Sequence, residues 1–113
     1  MLMMAKKRDK VEAGSGDVFV DLGFADAAER RLRVQLAMRI NELTAGNGFT
    51  QAKAAALFGV PQPHVSELKN YKLSRFSSER LLRFLTQLDR DVEIVIRPKA
   101  RGRSAGHLVV SMA

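Results

Sequence analysis

The stretch from Thr50 to Leu68 constrains this chain more tightly than any other. Residues Gln51 to Phe58 read as a short Ala-rich helix, with Thr50 placed to cap it and Gly59 placed where a residue of positive φ would end it. Gly59-Val60-Pro61 then turns the chain, and a second short helix is expected from Gln62 to Asn70. Pro63 is compatible with its first turn, because those amides have no intrahelical acceptor. Val65 and Leu68 form its apolar stripe, whereas Gln62, His64, Ser66, Glu67 and Lys69 fall largely on the other side. A helix seated on so narrow a stripe offers the rest of its surface to something else.

The flanking segments complete a small helical core. Asp26 and Glu29 form a capping-box-like pair, and Leu32, Leu36, Ala37, Ile40 and Leu43 recur at helical spacing, predicting a helix from about Asp26 to Ala45. Gly46-Asn47-Gly48 stops it. Ser77 is placed to cap a fourth helix with Leu81, Leu82, Leu85 and Leu88 inward and Arg80, Arg83 and Arg90 outward. From Asp91 to Arg97 the period changes to two, with Val92, Ile94 and Ile96 on one face, and Pro98 closes the run. This predicts a β-strand, which needs a partner: Leu108 to Val110 of the tail, the same strand of a second subunit, or an edge on another protein. Residues 1–18 read as a flexible N-terminal arm in which Gly14-Ser15-Gly16 is a linker, 19–90 as the helical domain, and 91–113 as a strand and basic tail suited to interaction.

Charge narrows the partner. The 113 residues carry 19 Lys plus Arg against 12 Asp plus Glu, a net charge of +7. The excess is local, since residues 30–90 alone hold 11 basic and 4 acidic groups. Such a surplus suits a polyanion bound by counterion release. No cysteine is present, which excludes disulfides and Cys-based zinc sites, and His64 and His107 have no carboxylate spaced to complete a metal site. No cofactor is expected. Neither a nucleophile in an elbow nor a recognisable acid–base pair of carboxylates appears, so the chain is not expected to be an enzyme. No spanning segment or secretory leader is legible, giving the expectation of a cytoplasmic protein without membrane attachment.

Helix, glycine-containing turn and short polar-faced helix together form a helix-turn-helix, which lays its second helix in the DNA major groove. At Thr50-Gln51, Ala55, Leu57, Gly59-Val60, Gln62, Val65-Ser66 and Leu68 the sequence resembles the XRE, or Cro/repressor-like, family over about residues 28–90. More narrowly, Gly14 to Phe19, Phe76 to Leu82 and Asp91 to Pro98 look like a branch grouped with HigA-like antitoxins. The resemblance implies an all-α, lambda-repressor-like helix-turn-helix bundle, here with a short C-terminal β-strand. It also implies a homodimeric repressor of its own operon, bound to double-stranded DNA at an inverted repeat, and in antitoxin members neutralisation of an RNA-cleaving toxin.

Carried over by the resemblance, Gln62, His64 and Glu67 match base-facing positions, and Gln51 and Asn70 match backbone-contacting ones. The residues carry their own chemistry as well. The Gln62 amide can both accept from and donate to an adenine edge. His64 can bond or stack on a base or stand as an exposed spectator, and Ser66 can reach a phosphate or bond back to its own helix. Lys69, Lys72 and Arg75 follow closely enough to grip the phosphate backbone. Pro63 and the run Lys69-Asn70-Tyr71 depart from the family pattern, which places a polar contact residue and Glu-x-Gly there. Two other readings stay open: a repressor without a toxin, and a protein-interaction module in which the helix-turn-helix is only a scaffold.

Overall fold

The computed structural model describes the backbone from Val20 and the side chains from Asp26, in both cases to Met112. The arm at residues 1–18 and its glycine linker lie outside the described residues. Four helices follow in order: α1 (Val20–Gly46), α2 (Gln51–Phe58), α3 (Gln62–Lys69) and α4 (Ser78–Gln87). The chain divides into two compact units at Arg31 and Leu32. In the first, α1 begins before the expected Asp26. Asp26 is not an N-cap; it lies within the helix and accepts from Arg30 Nη2 one turn on at 2.5 Å. No proline interrupts Val20–Asp26, and the capping-box pattern is overridden by continuing helix.

The second unit holds the core. Leu36, Ala37 and Ile40 of α1 meet Ala54, Ala55 and Phe58 of α2, Val65 and Leu68 of α3, and Leu81, Phe84, Leu85 and Leu88 at α4. Leu73 and Phe76 enter from the connection between α3 and α4. Phe58 stacks on Phe84 with centroids 4.4 Å apart, and Phe76 meets the same ring edge-on at 6.0 Å. Rings in these geometries add to simple area burial. The guanidinium of Arg80 lies over both Phe76 and Phe84, closing the exposed side of the cluster with a cation–π contact.

Local chemistry sets the helix ends. Thr50 accepts from the Lys53 amide at 3.1 Å to start α2, and Ser77 accepts from the Arg80 amide at 3.1 Å to start α4. Gly59 ends α2 in the left-handed region at φ 70°, and the Val60 amide then reaches back to the Ala55 carbonyl at 3.0 Å.

The C-terminal strand does not form. Residues 91–97 lie outside helix and strand and are exposed throughout. Leu108 and Val109 do not pair with them; instead Val110 packs on the core and donates its amide to Gln35 Oε1 at 3.0 Å. Alternation describes which side chains would share a face, but a ladder needs a neighbouring backbone, and the described residues supply none to the segment.

Candidate nucleic-acid interface

Helix α3 is held from behind. Val65 and Leu68 are buried, and small Ala54 and Ala55 on α2 permit the two short helices to approach. Asn41 of α1 donates to the Leu68 carbonyl at 3.3 Å, and Arg33 donates to the Leu73 carbonyl at 3.0 Å, so α1 fixes both the end of α3 and the turn beyond it. With 100° per residue, Gln62, Pro63, Ser66 and Glu67 point away from the Val65–Leu68 stripe. Gln62 and Pro63 are exposed, and Ser66 and Glu67 are half-buried.

His64 lies on the flank beside Leu68 rather than on the outer face. It is half-buried, and its Nδ1 is buried without a hydrogen-bond partner. Lys69 and Lys72 are exposed at the C-terminal end of the helix, and Gln51 is exposed at the start of α2. Asn70 is exposed too, but its Nδ2 already donates to the Ser66 carbonyl at 2.9 Å, giving its side chain a role in finishing the helix.

That finish is unusual in one residue. Tyr71 occupies the left-handed region at φ 60°, and the Lys72 amide bonds back to the Glu67 carbonyl at 2.8 Å. Tyr71 therefore adopts the conformation for which the family pattern supplies glycine, at the very position where the sequence departs from it.

Sequence reasoning missed one relationship at this face. Arg75 donates Nε and Nη2 to the two carboxylate oxygens of Glu67, at 2.5 and 3.3 Å. That hydrogen-bonded clamp holds the Glu67 carboxyl below the usual carboxylate range, with the nearby positive charge adding to it, and raises Arg75 in turn. The pair spans eight residues across an irregular turn, so no helical spacing could signal it. Arg75 is thereby partly withdrawn from the phosphate-gripping role its charge suggested. Among the described residues no cluster of metal-ligating side chains occurs, and no helix is long and apolar enough to cross a membrane.

A buried rear stripe, two short helices joined at a left-handed glycine, and an outward polar face define a helix-turn-helix domain. A family model described as a helix-turn-helix domain matches residues 18–97. A solved structure described as "Putative XRE Family Transcriptional Regulator" matches with a TM-score of 0.75 and 49% identity, over 78% of this chain and 99% of that one. Among curated proteins none matches. The chain belongs to the XRE helix-turn-helix family.

Proposed function

We propose that this chain is a sequence-specific repressor that binds an inverted-repeat operator as a homodimer, with α3 of each subunit in a major groove. Its membership of the family makes it a DNA-binding transcription regulator, acting on double-stranded DNA. The observation that carries the finer reading is the outward row of Gln62, Ser66 and Glu67 on a helix whose rear is locked into the core. Gln62 is assigned to an adenine edge, and Glu67 to a cytosine amino group with Arg75 fixing its rotamer. His64 contacts the strand beside the helix, and Ser66, Lys69, Asn70, Lys72 and Gln51 contact phosphates.

The same row favours DNA binding over a scaffold-only role, because the outer face of a helix locked into the core from behind is left open to a partner. The setting we propose is the antitoxin of a HigBA-like operon, supported by the resemblance over Phe76–Leu82 and Asp91–Pro98. Selecting bound duplexes from a random pool tests the operator. An inverted repeat with half-sites about one helical turn apart, near 34 Å, supports the reading. A pool that stays random refutes it. Co-expression with the product of a neighbouring small reading frame tests the antitoxin role: a stable complex supports it, and growth unaffected by that product alone opposes it.

A further inference from the structure

Residues 91–97 place apolar side chains in water. Ile94 is 77% exposed and Ile96 93%, with Val95 at 65%. The backbone beside them forms no ladder. We propose that this segment pairs with the same segment of a second copy as an antiparallel two-stranded ribbon centred on Ile94. The ribbon deepens the homodimer of the functional reading by naming the surface that joins its subunits.

The segment's own charges select that occupant and that direction. In the Ile94-centred antiparallel register Asp91 faces a second copy's Arg97, twice by symmetry, and Glu93 lies diagonal to the same Arg97. The opposite face then gathers Val92 against Ile96 twice and Ile94 against itself. A parallel in-register pairing would instead set Asp91 against Asp91 and Glu93 against Glu93, which is repulsive. Centring one residue earlier opposes Glu93 to itself; centring one later replaces the Val92–Ile96 contacts by Val92 against Pro98. Pro98, lacking an amide hydrogen, stands just outside the Ile94-centred ladder. Exposed apolar alternation of this kind, left single, is a hazard for indiscriminate pairing, and a self-complementary register removes it.

The absence of cysteine from the natural chain makes the test clean. Single variants Val92→Cys, Ile94→Cys, Val95→Cys and Ile96→Cys are made in the 113-residue chain and oxidised without DNA. Residues directly opposite in an antiparallel pair have Cα atoms about 4.5–5.5 Å apart, within disulfide reach. Ile94→Cys should link to itself at least about tenfold faster than the other three, while Val92→Cys mixed with Ile96→Cys should link efficiently. Equal self-linking at 92, 94 and 96, preferential linking at 95, or no linking at all overturns the proposal. A second measurement reads dimer dissociation by sedimentation. Asp91→Arg or Arg97→Asp alone should weaken the dimer about five- to tenfold, and the double swap should restore it. Failure of rescue contradicts the register. Because duplex binding is scored separately, on the wild-type chain, loss of the ribbon and loss of the DNA-binding reading give different results.

Discussion

Arg75 grips both carboxylate oxygens of Glu67 from eight residues away, so the charge in the middle of the outer face of α3 belongs to a pair rather than to a lone acid. An unpaired carboxylate facing phosphates would repel the duplex. Clamped, it keeps one lone-pair direction for a base while Arg75 offsets its charge.

The clamp has a pH signature. Hydrogen bonding to Arg75, then its charge, lowers the Glu67 pKa, so the clamp's contribution is present above the unfolded-state value and fades as pH falls through the lowered folded value. Carbon-detected NMR titration of the Glu67 carboxyl should show a midpoint below the usual range in the wild type. In Arg75→Ala it should move upward; an unmoved midpoint would show that Arg75 does not hold the carboxylate in solution.

The turn between α2 and α3 depends on backbone conformation alone. A Cβ at Gly59 would meet nothing within 4 Å, yet φ is +70°. Gly59→Ala should therefore cost about 1–2 kcal/mol in denaturant unfolding, purely as left-handed strain, with the helix content preserved. A change near zero would mean that this turn is not fixed as described.

Tyr71 should behave in the opposite sense. Its φ of 60° carries the same kind of strain in a residue that keeps 45% of its surface in water. Tyr71→Gly should stabilise the domain by about 0.5–1 kcal/mol, the relief of strain exceeding the added freedom of the unfolded chain. Loss of stability on chemical denaturation would argue that the ring packs more than its exposure indicates.

Phe84 joins two aromatic contacts at the centre of the core. Phe84→Ala should cost about 3–5 kcal/mol, since it opens a cavity and removes the partner of both Phe58 and Phe76. Thermal unfolding checks this, and a loss under about 1 kcal/mol would deny the stack its place in the core.

Much of this arrangement was legible in the sequence where the cause is local. Thr50, Gly59 and Ser77 cap helices because their side chains or backbone freedom act within one turn, and the inward Val65 and Leu68 follow from helical period. What stayed hidden is set at a distance. The Glu67–Arg75 clamp and the stacking of Phe58 on Phe84 arise only when the chain folds back on itself. His64 shows the limit within a single helix: its spacing gave polarity but not the neighbour that buries Nδ1. At Asp91–Arg97 the alternation predicted a strand that does not form, because a ladder requires a second backbone and none of the described residues supplies it.

Binding to DNA should weaken steeply as salt rises, because Lys69, Lys72 and the other basic groups of residues 30–90 displace counterions. Salt alone does not separate reading from mere adhesion. The most direct measurement is the ratio of specific to non-specific affinity for wild type and Gln62→Ala at one fixed salt concentration. This ratio should fall by about 5- to 150-fold, equivalent to ~1–3 kcal/mol, with non-specific affinity nearly unchanged. An unaltered ratio would contradict the claim that the outer face of α3 reads bases.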